Sequence, residues 1–292
     1  MSIFSDDRLH VRRDEPLAMH TWFQLGGPAE YFAEPESRDE LALYLKECRQ
    51  AKIPFRILGS GSNILVPDEG VPGLVFRLNG PEFSKIEIRD DRCVVGCGAK
   101  LGRVVTQSVH AGLGGLESLI GIPGTIGGAL HGNTGTQSGD VGQWVREVTV
   151  LYPDGQEAVL KNEEIVFSYR SSSLEDLIIL EVSFALEKED PYKLAKRLQK
   201  QWILRKSSQP MGHQCAGCIF KNPRGMATGE LIESAGLKGT RIGGAVVSER
   251  HANFIVAEPE CTSSDVMRLI DLIRTQVKER KDVELELELE IW

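Results

Sequence analysis

The sequence predicts an α+β fold with helices and strands segregated along the chain, on three observations. Capped helical stretches stand near both ends, the middle is dense in strand and hairpin signals, and the first glycine-rich turn is followed by a second apolar strand run, not by a helix. That last order argues against the strand-helix-strand winding of a dinucleotide fold. At 292 residues, 41% hydrophobic and 7% aromatic, the chain is long for one core and has an ordinary globular composition. Three segments are expected, 1–80, 81–188 and 189–292.

In the first segment Ser37-Arg-Asp-Glu40 is a capping box, and Leu41, Leu43, Tyr44, Leu45 and Cys48 continue it as a largely apolar helix that Pro54 ends. Phe55 to Leu58 reads as a strand running into Gly59-Ser60-Gly61-Ser62-Asn63, with the apolar run Ile64-Leu-Val66 beyond. These glycines and serines fit either a plain structural turn or a nest of backbone amides that converges on phosphate oxygens. There is no Gly-Lys-Ser/Thr of a P-loop.

In the second segment Ile86 to Ile88 and Cys93 to Val95 flank Asp90-Asp91, and Val145 to Leu151 and Glu157 to Leu160 flank Pro153-Asp-Gly155, two hairpin patterns. One helix is expected from Leu101 to His110, stopped by Gly112. Next comes Gly121-Ile122-Pro123-Gly124-Thr125-Ile126-Gly127-Gly128. Its glycines permit positive φ and close approach to a flat or anionic ligand, and tight turns in a β core explain them equally well.

The third segment opens on Asp190-Pro191, an N-cap with proline at the first helical position, and Leu194, Leu198 and Trp202 form an i, i+4 stripe. Thr262-Ser-Ser-Asp265 starts another helix, with Val266, Leu269, Ile270, Ile273 and Val277 on one core-facing side. The terminal Val283-Glu-Leu-Glu-Leu-Glu-Leu-Glu290 alternates with period two, which predicts a strand with four carboxylates on one face, most of them solvated.

Charge and cysteine usage narrow the partners. A net charge of −8 argues against nucleic acid, and neither a membrane-spanning run nor the basic and apolar parts of a signal peptide is present, so a cytoplasmic protein is the expectation; a monomer is expected as well. Between Arg205 and Arg250 seven Lys and Arg face three Glu, a local +4 that suits a diphosphate or is ordinary surface scatter. Cys93 and Cys97 with Cys215 and Cys218 have spacings that conceivably fit a zinc site, but Cys93 and Cys97 fall in a strand where cysteine packs as a small apolar residue, and no metal is expected.

The densest run of reactive side chains is Ala216-Gly-Cys218-Ile-Phe-Lys221-Asn222-Pro223. With Gly59 to Asn63, Gly121 to Gly128, Phe167-Ser-Tyr169-Arg170, Leu231-Ile-Glu-Ser-Ala-Gly-Leu-Lys-Gly239, Ile242-Gly-Gly-Ala245, His251-Ala-Asn-Phe-Ile255 and Leu285-Glu-Leu-Glu288, it resembles MurB, the UDP-N-acetylenolpyruvoylglucosamine reductase family, through nearly the whole chain. The resemblance implies an FAD-binding region in two parts, of the vanillyl-alcohol-oxidase type, and a C-terminal α+β substrate domain, in the shorter branch of the family that lacks an extra substrate-covering loop. It also implies that NADPH and UDP-N-acetylglucosamine enolpyruvate are the substrates. Gly59 to Asn63 would take the pyrophosphate of FAD, and Gly121 to Gly128 would surround its ring. Arg170 would face the enolpyruvyl group, Cys218 would stand where many members have serine as proton donor, and Glu288 would assist it. Tyr169, Lys221 and Asn222 would touch substrate. Thr134 and Thr136 depart from the alanines of the family pattern after Asn133, and Gln209-Pro210 keeps only part of its basic approach to the donor segment. Arg170 as a structural ion pair and Cys218 as a small packing residue stay open, as do an FAD-linked oxidase and a non-catalytic sugar-nucleotide binder.

Overall fold

The computed structural model describes residues 9–292, so the opening Met1-Ser-Ile-Phe-Ser-Asp-Asp lies outside the described residues. The chain forms two units that interleave along the sequence: Met1–Arg13, Tyr31–Ser60 and Gly73–Leu204 make the first, and Asp14–Glu30, Gly61–Pro72 and Arg205–Trp292 the second.

In the first unit Ser37 caps helix α1, Arg38–Ala51, by accepting from the Glu40 amide at 3.2 Å, while the Glu40 carboxylate reaches back to the Glu36 amide at 2.8 Å. Lys52 at φ 56° ends it in a left-handed turn. Leu41, Tyr44, Leu45 and Cys48 are buried, and each apolar side chain so removed from water contributes about 1.5–3 kcal/mol. The Tyr44 hydroxyl accepts from the His10 amide and donates to the His10 carbonyl, and burial pushes its pKa up to about 12. The strand Phe55–Leu58 runs parallel to residues 74–77.

The main sheet of this unit is antiparallel, in the order Glu157–Lys161, Val145–Leu151, Ile178–Ala185, Arg92–Gly96, Ile86–Arg89. Both expected hairpins are in it, turning at Asp90 with φ 55° and at Gly155 with φ 91°. Ile178–Ala185 carries no alternating strand pattern in its sequence, because most of its residues are buried on both faces of the sheet. Helix α2, Leu101–His110, has the expected bounds, and Gly112 at φ 72° follows it. Helix α3, Ile126–His131, forms where the sequence suggests only a glycine-rich turn; Thr125 caps it by accepting from the Gly128 amide.

Helix α4, Pro191–Ser208, begins with the Asp190 carboxylate accepting from the Tyr192 amide. Of the stripe expected on it, Leu194 is buried, Leu198 packs against the core in part, and Trp202 stays 40% exposed.

The second unit is built on helix α6, Ser263–Lys281, with its capping box at Thr262 and Asp265 and all five expected apolar residues buried. It packs with helix α5, Thr228–Ser234, and the antiparallel strands Arg241–Ile242, Ala245–Val247 and Ile255–Ala257. Asp68 tethers the segment 61–72 to α6 by accepting from the Ser263 and Ser264 amides at 2.8 and 3.0 Å. Desolvation raises the Asp68 pKa, but these bonds and that from the Ser264 hydroxyl outweigh it and lower it.

The terminal alternation is not one continuous strand. Leu287 bridges Phe220, and only Glu290–Ile291 forms a strand, parallel to Ile64–Leu65. Between them the amides of Glu288 and Leu289 both donate to the Ile219 carbonyl, at 2.9 and 3.2 Å, so the regular ladder breaks there as in a bulge. Leu285 and Leu289 are buried and Glu284, Glu286 and Glu290 exposed, whereas Glu288 is half-buried.

Candidate functional site

In the first unit the end of Phe55–Leu58 delivers Gly59 beside the start of α3: a Cβ at Gly59 would stand 2.9 Å from the Thr125 hydroxyl, the helix cap. Ser60 follows, and its Oγ is buried with no hydrogen-bond partner among the described residues. A buried hydroxyl in that state fits a ligand that brings an acceptor oxygen, as a diphosphate does. Gly121 at φ 77° and Gly124 at φ 143° need glycine for their backbone conformation. Gly127 is glycine for packing, since a Cβ there would press on Cys97, whose carbonyl accepts its amide at 2.7 Å. Gly128 is exposed and offers main chain without a side chain. Ile122, Pro123 and Thr125 are half-buried around these glycines.

Two residues of the first glycine run do other work in the second unit. A Cβ on Gly61 would collide with the His20 carbonyl, and the Gly61 carbonyl accepts from the Trp22 amide. Asn63 Nδ2 donates to the Glu288 carbonyl at 2.9 Å, and its own carbonyl takes the Glu290 amide at 3.0 Å. Asn63 therefore fixes the backbone that leads out of half-buried Glu288.

Arg170 occupies a two-residue turn between Phe167–Ser168 and Ser171–Ser172, at φ 57°. A left-handed arginine is strained by about 1–2 kcal/mol, and the surroundings hold it there. Asn133, 2% exposed, donates from Nδ2 to the Ser168 carbonyl at 2.8 Å and accepts the Gly142 amide on Oδ1 at 3.1 Å. Ser172 donates its hydroxyl to the His131 carbonyl at 2.9 Å. The guanidinium donates to the Gly135 carbonyl at 3.2 Å and lies 5.1 Å from the centre of the exposed Tyr169 ring. The Arg170 turn is thus fastened to the end of α3.

In the second unit Gly217 at φ 74° turns the chain into Cys218, which is half-buried, and residues 219–221 run on with every backbone polar group bonded. Ile219 donates to the Asn253 carbonyl and accepts from Glu288 and Leu289; Phe220 exchanges bonds with the Asn253 side chain; Lys221 donates to the Glu286 carbonyl and accepts from the Thr228 hydroxyl. Asn222 Oδ1 accepts the Thr228 amide at 2.9 Å at the start of α5. The geometry therefore holds Glu288 on the residue next to Cys218. Asn253 and Asn133 stand in stretches that match the family pattern, but no spacing in the sequence signals their hold on the backbone of Phe220 and Ser168, 33 and 35 residues away.

Comparison with known proteins decides the family. A model described as the C-terminal domain of UDP-N-acetylenolpyruvoylglucosamine reductase matches residues 209–292, and an FAD binding domain matches 29–161. The chain is 45% identical to UDP-N-acetylenolpyruvoylglucosamine reductase 2 of Symbiobacterium thermophilum, over 97% of this chain and 92% of that one. It is 42% identical to the reductase of Moorella thermoacetica, over 98% and 94%. The chain belongs to the UDP-N-acetylenolpyruvoylglucosamine reductase family. The crystal structure of that reductase (MurB) from Thermus caldophilus superposes with a TM-score of 0.84 at 38% identity, covering 97% of this chain and 98% of the other. The α+β fold, with an FAD-binding region and a C-terminal domain, is that of the family.

Family membership gives the remaining groups their context. Among the described residues no cluster of His, Cys, Asp or Glu could hold a metal, and none of the six cysteines is in a disulfide. Burial pushes the Cys93 and Cys97 thiols up to about 11 and 12, as expected of cysteines that pack as apolar residues. In the basic stretch Lys221, Lys238 and Arg241 pair with Glu286, Glu233 and Glu258, at 2.5, 2.8 and 2.6 Å. No helix among the described residues is long and apolar enough to cross a membrane.

Proposed function

We propose that this chain reduces UDP-N-acetylglucosamine enolpyruvate to UDP-N-acetylmuramate with NADPH, as a cytoplasmic monomer in peptidoglycan precursor synthesis. The observation that supports the residue assignment is the attachment of the Glu288 and Leu289 amides to the carbonyl of Ile219, which joins the backbone of Glu288 to that of the residue following Cys218. The stretches 1–80 and 81–188 would serve the cofactor and 189–292 the substrate, with Ser60 and the amides of Gly59 to Asn63 on the pyrophosphate and Gly121 to Gly128 along the ring. Bound FAD supplies the redox chemistry, a hydride taken from NADPH and one given to the vinyl carbon of the substrate.

The protein's own work is charge and proton placement. Hydride arrival at the methylene carbon leaves negative charge on the neighbouring carbon and its carboxylate. Arg170, permanently cationic and planar, stabilises that charge, and losing one such donor typically costs about 3–4 kcal/mol of barrier. Cys218 then gives its thiol proton to the carbon and is reprotonated from water; an ordinary thiol, with a pKa of about 8.5, releases a proton more readily than the serine of many relatives. Glu288 polarises the donor or the developing enol. Tyr169 and Asn222 would orient the sugar nucleotide, and Lys221, already paired with Glu286, would reach the diphosphate by exchanging that partner.

The test is anaerobic mixing at the flavin absorbance band. NADPH should bleach the protein, and the enolpyruvate should restore its colour; recovery with oxygen alone would favour an oxidase, and protein that stays colourless after incubation with FAD would sink the proposal.

A further inference from the structure

The mechanism makes no use of Asn253, although it is one of the most deeply buried polar side chains of the second unit, at 2% exposure. Its carboxamide faces the backbone of a single residue. Oδ1 accepts the Phe220 amide at 3.0 Å and Nδ2 donates to the Phe220 carbonyl at 2.8 Å, the pairing a neighbouring strand would make. Its main-chain carbonyl takes the Ile219 amide at 2.9 Å. The opposite side of the segment is held by the chain that carries Glu288, through Ile219 and the bridge of Phe220 with Leu287.

We infer that Asn253 is the positioning residue of the proton-delivery half of the site, setting Cys218 and Glu288 in register by clamping the backbone of Ile219 and Phe220. This rests on the assignment of Cys218 and Glu288 above. Phe220 is 1% exposed, so water cannot substitute for the carboxamide. A side chain that lacks either the donor or the acceptor lets residues 219–220 shift, and Ile219 carries both Cys218, its chain neighbour, and the amide of Glu288. Gly217 at φ 74° gives the segment a hinge at its other end, with open space around it, so Asn253 supplies restraint that Gly217 does not. The titratable groups around the clamp are His251, whose Nδ1 accepts the Asn253 amide at 3.3 Å, with Cys218, Lys221, Glu286 and Glu288 along the two chains it joins.

The experiment compares the two half-reactions in FAD-loaded Asn253→Asp, Asn253→Ala and Cys218→Ala proteins. In Asn253→Ala, bleaching by NADPH should keep its wild-type rate while recovery with the enolpyruvate slows about a hundred-fold, the cost of a displacement near 1 Å. Asn253→Asp adds a sharper signature. Its protonated acid can still donate to the Phe220 carbonyl and its carboxylate cannot, so recovery should be fast at low pH and fall as pH rises, earlier than in wild type, with no such step in bleaching. If the alanine protein does not fold, the aspartate protein decides, because its acid form restores both bonds. A flat profile at wild-type rate with Cys218→Ala slow, or equal losses in both half-reactions, overturns the role of Asn253. Full recovery in Cys218→Ala overturns the donor assignment and this inference with it.

Discussion

The turn that carries Arg170 and the segment that carries Cys218 solve one problem in opposite ways. Each presents a reactive side chain from irregular backbone and each is held by a buried asparagine, Asn133 in one unit and Asn253 in the other. The arginine turn stores strain, with φ of 57° at Arg170 and 40° at Asn133 itself. The cysteine segment stores none among residues 219–221, whose backbone groups are all bonded. On the roles proposed, a charge that must reach out can stand on a strained, half-exposed perch, whereas a proton donor must sit within a fraction of an ångström of its target and is served by the saturated backbone beside it.

The largest expected effect falls on the cysteine side. Cys218→Ala should slow recovery of the flavin with enolpyruvate by about 10²–10⁴, the range for removing a positioned general acid, with NADPH bleaching unchanged. Stopped-flow absorbance checks it, and Cys218→Ser should regain part of the loss. Alkylation should reproduce the alanine effect.

Arg170 separates activity from stability. Arg170→Lys keeps the charge and loses the planar fork, so the same half-reaction should slow by about 10²–10³. Arg170→Gly should be as inactive yet at least as stable as Arg170→Ala, because glycine avoids about 1 kcal/mol of left-handed strain that alanine keeps while both lose the bond to the Gly135 carbonyl. Paired activity and urea-unfolding measurements on the variants check this; a glycine variant less stable than the alanine one would show the turn to be unstrained.

How much of this was legible follows from the same physics. Local rules wrote the capping of α1 and α6, the bounds of α2 and both hairpins of the main sheet, and each was readable. Helix α3 was hidden because two of its six residues are glycine, each costing about 1 kcal/mol of helix propensity. Thr125 and the burial of Ile126, Ala129 and Leu130 override that cost. The terminal alternation was readable as a pattern but not as a strand, since the break at Glu288 depends on the carbonyl of Ile219, far away in sequence. The reactive residues and both asparagines lie in family-like stretches, but the hold of the asparagines on backbone runs through tertiary contacts that leave no spacing to read.

Asn133→Ala tests the arginine side in stability. It leaves the buried Gly142 amide without its acceptor and the Ser168 carbonyl without its donor, and puts alanine at φ 40°. A loss of about 1–3 kcal/mol per stranded group is expected, tempered where water reaches Ser168. Urea unfolding followed by tryptophan fluorescence measures it, and Arg170-dependent recovery should fall with it even where the protein stays folded.

The smallest effect distinguishes the two sides by acid. Burial lowers the pKa of His251 below its ordinary value of 6.5, helped by nearby Lys238, and its Nδ1 accepts the Asn253 amide in the neutral ring. A proton on Nδ1 would set one N–H against another at the clamp. Because the folded pKa lies below the unfolded one, the unfolded chain binds the extra proton first. Stability from this group is complete above about pH 6.5 and drains away as pH falls toward the lowered folded value. The Asn133 carboxamide bonds the Ser168 carbonyl and the Gly142 amide. Hydrogen exchange measured from pH 7.5 to 5 should therefore show the Phe220 amide losing protection relative to the Gly142 amide, after correction for intrinsic rates. His251→Asn should flatten that difference. Parallel loss at both amides in wild type would mean that acid acts on the whole fold and not through the clamp.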